Sequence, residues 1–219
     1  MRQYAFGAGF LMFVSSFQAD ATNQHLVRLE PPQQAKPERV AFMQSFGQTL
    51  PPVGYVTFCR EQKDECRPAK RFSDRIQLNP ERARELEEVN RYVNETIEPV
   101  TDQELYGKVE LWTYPSDGKG DCEDYVLLKR RLLIERGWPE STLLITVVRD
   151  ENNEGHAVLT ARTDKGDLVL DNKEREILAW TETAYTFIKQ QSGPNPLVWT
   201  SLLPPDEAPQ TTVSASNGS

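Results

Sequence analysis

The sequence predicts an α+β fold, helices first and an antiparallel sheet after them. Three observations carry this. Apolar residues recur at helical spacing over 80–97 and again over 122–136. From position 143 the pattern changes to short β-rich runs, and clusters of Asp, Asn, Gly and Lys punctuate those runs at hairpin intervals.

The first helix opens at Asn79-Pro80-Glu81. The Asn side chain can accept from a first-turn N–H, the proline sits where no N–H is needed, and the acid suits the positive end of the dipole. Leu86, Val89, Val93 and Ile97 form its apolar face, and Pro99 bounds it. Asn94-Glu95-Thr96 matches a glycosylation acceptor but, midway along a helix, reads as ordinary surface. The segment 100–120, with Trp112, Tyr114, Pro115 and then SDGKG, reads as loop. Asp121 is placed to cap a second helix, with Asp124 at its third position completing a capping box. Tyr125, Leu128 and Leu132 lie on one side with Val126 and Leu133 beside them, and Gly137 and Pro139 stop the helix. Lys129, Arg130, Arg131 and Arg136 lie toward its C-terminal half, where positive charge suits the dipole, and are expected on a solvated face. Strands follow at 143–149, 156–163 and 168–171, separated by turns at 150–155 and 164–167. A short helix is expected over 181–190 and a closing strand near Trp199.

The chain has 219 residues and 25.0 kDa, room for one domain with extensions. Its 38% apolar content and mean hydropathy of −0.59 are low, so polar tails dilute an ordinary core. With 25 basic and 33 acidic residues the net charge is −8, which argues against nucleic acid, since that partner needs a basic face. Three cysteines are too few for a disulfide-framework mini-protein, and two histidines cannot build a multi-histidine metal cluster.

Residues 1–21 have the layout of a signal peptide: Arg2, an apolar run over 4–14, and Ala19-Asp20-Ala21 as the cleavage site. The run is too short to span a bilayer; an uncleaved anchor or a buried N-terminal helix is the alternative. No later stretch has the length of a membrane helix. Residues 22–41 read as an extended, proline-rich linker, 42–202 as the folded domain, and 203–219 as a disordered tail.

Export sets how the cysteines are interpreted. Cys59 and Cys66 flank a short polar loop that a disulfide can close in an oxidising compartment. A metal clip is the alternative, though His25, the histidine outside the core, lies in the linker. Cys122 is left unpaired, either buried and inert or reactive. Its place in the first turn of a helix favours a thiolate and offers backbone N–H groups to an oxyanion. His156 is the one histidine of the predicted core and supplies a base, with Asp171 on the next strand as orienting carboxylate. With Lys165-Gly166 as a two-residue turn, Asp171 falls opposite Thr160. It then shares a face with His156 but lies about 13 Å along the strand, at about 3.3 Å per residue. Contact therefore requires a different register.

The runs Gly120-Asp121-Cys122-Glu123-Asp124-Tyr125, Gly155-His156-Ala157-Val158-Leu159 and Val169-Leu170-Asp171-Asn172 closely resemble the bacterial transglutaminase-like cysteine proteinases. The likeness extends through Val89-Asn90, Ile97, Thr101-Asp102, Tyr106-Gly107 and Trp112, and on to Trp180, Tyr185 and Gln191-Ser192, so that it covers about 40–200. The resemblance implies a papain-like, transglutaminase-type core with the Cys-bearing helix packed on an antiparallel sheet. It implies Cys122 as nucleophile, His156 as general base and acid, and Asp171 as the orienting residue. It implies a periplasmic or secreted cysteine peptidase acting on a protein substrate, a surface or envelope protein among them, through an acyl-enzyme. The resemblance implies calcium, which the best-studied members need and hold by acidic residues flanking the nucleophile; here those are Asp121, Glu123 and Asp124, for which helix capping is the structural alternative. It also implies regulation by an inner-membrane receptor that senses a cyclic dinucleotide, as in those best-studied members. The Cys59–Cys66 loop lies outside the shared motif. The same triad also serves transglutaminase- or amidase-type acyl transfer, and the same fold serves as a non-catalytic binding module.

Overall fold

A computed structural model describes residues 41–70 and 72–207. The expected signal peptide, nearly all of the linker with His25, and the tail beyond residue 207 lie outside the described residues. The described residues fall within one compact unit.

In chain order the elements are β1 (Gln48–Thr49), α1 (Val53–Glu61), α2 (Pro80–Thr96), β2 (Glu98–Pro99), α3 (Asp102–Tyr106), β3 (Lys119–Gly120) and α4 (Cys122–Glu135). They are followed by β4 (Leu143–Arg149), β5 (Gly155–Thr163), β6 (Gly166–Leu170), β7 (Leu178–Ala179), β8 (Thr186–Gln191) and β9 (Trp199–Ser201). Seven strands form one antiparallel sheet in the order β1-β9-β8-β4-β5-β6-β7, and β2 pairs with β3 in parallel. Helices first and an antiparallel sheet after them is the α+β layout the sequence predicts.

Alternation along the strands sends Leu143, Ile145, Ala157, Leu159, Ala161 and Leu170 into one core with Leu86, Val89, Val93, Tyr125, Val126 and Leu133 of the helices. Val148, Val158, Val169 and Phe187 go to the other face, under Met43, Trp180 and Tyr185. The helix α2 begins as expected, with Asn79 Oδ1 accepting from Arg82 N–H at 2.8 Å. Gly137, at φ 83°, provides the left-handed residue that ends α4. Cys59 and Cys66 are bonded, with Cα atoms 5.6 Å apart.

Several expectations are corrected. The segment 100–120 is not all loop: Thr101 and Glu104 form a capping box that starts α3, and Lys119-Gly120 pairs with β2. Residues 186–191 are a strand, not a helix; β4 and β9 flank this β-rich run and satisfy both its edges. Lys129 and Arg130 are buried rather than solvated, because α4 packs on α2 and on the sheet at once. The dipole argument fixes which end of a helix suits a cation and says nothing of which side faces water. Arg130 Nε donates to the Leu143 carbonyl at 3.0 Å, whereas Lys129 Nζ has no hydrogen-bond partner among the described residues. Asn94 is not idle surface; its Nδ2 donates to the Asp171 carbonyl at 2.8 Å.

Candidate active site

Cys122 is the first residue of α4 and is half-buried. His156 is the second residue of β5, and Asp171 follows β6 directly; both side chains are buried. The hairpin pairs Thr163 with Gly166, so its two-residue turn is Asp164-Lys165 and not Lys165-Gly166. This one-residue shift changes the register by two: continuing the ladder beyond Leu159–Leu170 sets Asp171 opposite Val158, on the face of His156 and only one diagonal step away. His156 Nε2 and Asp171 Oδ1 are 2.8 Å apart.

Asp171 is held at three points. Oδ1 also accepts from Lys173 N–H at 3.0 Å, Oδ2 accepts from the Tyr185 hydroxyl at 2.5 Å, and its backbone carbonyl takes the Asn94 amide. Burial alone would raise its pKa; the hydrogen bond and charge of His156, followed by the bonds from Tyr185 and Lys173, outweigh burial and hold it below the ordinary carboxylate range. An ionised Asp171 accepts a hydrogen bond from the Nε2–H of His156, so Nδ1 is the nitrogen left with a lone pair.

Cys122 and His156 line the same cavity of about 460 Å³, walled by Pro52, Trp112, Val147 and Lys189 among others. A second cavity, of about 250 Å³, continues on another side with Thr101, Glu104, Asn172 and Lys173 and shares Asp121, Cys122, Gly155 and His156 with the first. The Cys–His pair thus sits where two arms of a cleft meet. Trp112 is both a buried core residue and a wall of the cleft.

The electrostatics at the thiol differ from the expectation drawn from its helix position. Burial and then the neighbouring Glu123 carboxylate push the Cys122 thiol well up, and the sulfur lies 3.1 Å from Glu123 Oε2. Burial and Asp121 in turn raise Glu123 to about 8. A helix N-terminus stabilises a thiolate, but here carboxylates crowd the same end.

Those carboxylates do not form a reciprocal capping box. Asp121 occupies the N-cap position, yet its side chain caps nothing; its Oδ2 accepts from Asp102 N–H at 3.2 Å. Asp124 Oδ1 accepts from Thr113 N–H at 2.9 Å, and Asp102 Oδ2 accepts from Leu111 N–H. Each of these three carboxylates also has a buried oxygen without any partner: Asp102 Oδ1, Asp121 Oδ1 and Asp124 Oδ2. One oxygen from each lies within 4.8 Å of the others. Burial raises Asp102 and Asp124, the latter to about 8. Three convergent, desolvated and partly unsatisfied carboxylates form a donor set suited to a hard cation with oxygen ligands. A second group within the same spacing comprises Asp121, Cys122 and Glu123. The unsatisfied oxygens favour the first. Asp102 therefore joins Asp121 and Asp124, while Glu123 turns toward the thiol. Asp102 is hard to read from the sequence as a member of this cluster because it lies 19 positions before Asp121, in a segment with loop-like composition; the cap that starts its one-turn helix is the available signal.

A cysteine opening a helix, beside a histidine whose far nitrogen is bound to a carboxylate on an antiparallel sheet, is the layout of papain-like thiol enzymes. The family model for bacterial transglutaminase-like cysteine proteinases (BTLCP) matches residues 45–207, and the chain belongs to that family. Solved structures of Legionella pneumophila LapG are similar to it. One is 30% identical with a TM-score of 0.43, covering 48% of this chain and 62% of LapG, so the chain spans about three fifths of that relative. An EGTA-treated form has the same identity and TM-score, and a calcium-bound form is 25% identical with a TM-score of 0.49 over 61% of this chain and 76% of LapG. No curated protein sequence matches the chain.

Proposed function

We propose that the chain is an exported cysteine peptidase that hydrolyses peptide bonds of a protein substrate through Cys122, His156 and Asp171. The observation that carries this is the 2.8 Å bond from His156 to a buried Asp171 inside the cavity that Cys122 lines. His156 Nδ1 takes the thiol proton, and the sulfur attacks the substrate carbonyl carbon. The oxyanion so formed meets the N–H groups of the open first turn of α4. Collapse breaks the C–N bond as the imidazolium returns its proton to the leaving amine, leaving a thioester. Water then adds, losing its proton to His156, and the second collapse releases the carboxylic acid and the thiol. The two arms of the cleft support a chain that continues on both sides of the scissile bond, as an endopeptidase requires.

Calcium belongs to the same proposal. Asp102, Asp121 and Asp124 would hold it, and its charge would offset the negative field these carboxylates impose beside the thiol. The exported location rests on residues 1–21; among the described residues no helix is long and apolar enough to cross a membrane. A surface or envelope protein as substrate and a regulatory inner-membrane receptor follow from family likeness.

The test is a comparison of new N-termini among envelope and released proteins with wild-type chain and with Cys122→Ala. Termini that vanish in the variant identify the substrate. Identical sets of termini, with the wild-type protein expressed and folded, would defeat the peptidase assignment.

A further inference from the structure

We propose that Tyr185 is a positioning residue of the catalytic set, acting on His156 through Asp171. The inference rests on the Cys122–His156–Asp171 assignment. Asp171 is 2% exposed, so water does not reach its carboxylate to serve as an alternative partner. Its Oδ1 is committed to His156 Nε2 and Lys173 N–H, and for Oδ2 the Tyr185 hydroxyl, at 2.5 Å, is the one hydrogen-bond donor among the described residues. Hydrogen bonds at both oxygens fix the carboxylate plane, and that plane aims Oδ1 at Nε2. The fixed imidazole then presents Nδ1 to the cleft. The Tyr185 ring packs edge-on against the His156 ring with centroids 5.7 Å apart, so one side chain braces both partners.

The donor direction is set by chemistry. Burial and then Asp171 push the Tyr185 phenol up, so it stays protonated and donates. The other charged groups facing this pair are Lys129 of α4, Lys173 with its partner Asp150 at 2.7 Å, and Glu174 and Glu151 near the phenol. None of them bonds Oδ2, so none replaces the hydroxyl. Tyr185→Phe keeps the ring and its contact with His156 while removing the donor alone.

The chain supplies a direct assay, because two of its three cysteines are joined and iodoacetamide therefore reports on Cys122. Alkylation rates are measured at neutral pH on the full chain for wild type, Tyr185→Phe, Asp171→Asn and the double variant. The imidazole N–H signals are followed by NMR, where only His25 and His156 contribute. Tyr185→Phe is expected to slow alkylation by roughly tenfold, the scale of one charge-assisted hydrogen bond. It should also shift the His156 Nε2–H resonance or hasten its exchange, and cost nothing further in the Asp171→Asn background. Additive losses in the double variant, or an unaltered Nε2–H signal, would overturn the positioning role. If Asp171→Asn itself leaves alkylation unchanged, the triad assignment fails first, and positioning through Asp171 falls with it.

Discussion

Lys129 offers a prediction whose size can be worked out. It lies fully buried two turns beyond Cys122 in α4, and its ammonium has no hydrogen-bond partner among the described residues. Burial lowers its pKa from 10.5 to about 7, opposed by the charge of Asp171. Between those values the unfolded chain binds a proton that the folded chain has released, so this residue makes stability rise with pH from about 7 to 10.5. At and below about 7 the folded state carries most of the cost of the charge. The interval between the two values corresponds to a ceiling of about 5 kcal/mol, at about 1.4 kcal/mol per pH unit. Replacing buried ions by apolar residues of similar shape gains about 1–4 kcal/mol in practice. Lys129→Met is therefore expected to stabilise the protein at pH 7 by a few kcal/mol, or several degrees in Tm at about 2–4 °C per kcal/mol for a chain of this size. The advantage should shrink as pH rises toward 10. Cys122, Glu123 and Asp124 also carry raised pKa values, but they are common to both proteins and cancel in the difference. The assay is thermal and urea unfolding of the two proteins at pH 7, 8.5 and 10. A variant less stable than wild type at pH 7, or a gap that does not narrow with pH, would refute the account of a buried ammonium without a hydrogen-bond partner.

Other predictions concern the carboxylate cluster and the staple. Adding calcium to chelator-treated protein should raise its stability by about 2.7 kcal/mol at a hundredfold excess over Kd, and Asp124→Asn should abolish the response; an unchanged Tm would remove the cation from the mechanism. Gly120→Ala should weaken calcium binding without changing any charge, because a Cβ there would lie 2.6 Å from Asp124 Oδ2 and 2.8 Å from Asp124 Cβ, so that the side chain must shift; titration calorimetry reads this directly, and an unaltered affinity would refute it. Cys59→Ala with Cys66→Ala should cost about 2–3 kcal/mol in urea unfolding, as expected for so short a closed loop; no loss would show that the packed core alone holds α1.

Much of this arrangement could be traced along the chain, and the exceptions share a cause. The helix from Asn79 and the strand from Leu143 to Arg149 depend on local signals, a cap and a run of β-formers, and appear where expected. Lys129 and Arg130 went astray because burial depends on what packs against a helix from all sides. Residues 186–191 form a strand because β4 and β9 pair with both edges, a pairing that the run's own β-forming residues do not specify. Asp121 and Asp124 fit a capping box by spacing, but the N–H groups of Asp102 and Thr113 arrive through space and take one carboxylate oxygen of each.

By itself, the sequence determined which residue types could do the chemistry. With three cysteines and two histidines in the whole chain, and one cysteine placed at a helix start, Cys122 and His156 were candidates before any coordinate was known. Only the tertiary structure decided that Asp171 reaches His156, since a turn shifted by one residue moves a strand pair by two. The same holds for Tyr185 and Asn94 gripping Asp171, and for Asp102 completing a carboxylate cluster. Backbone hydrogen bonding specifies elements over a few residues, whereas a catalytic geometry depends on register and burial, which form between segments far apart in the chain.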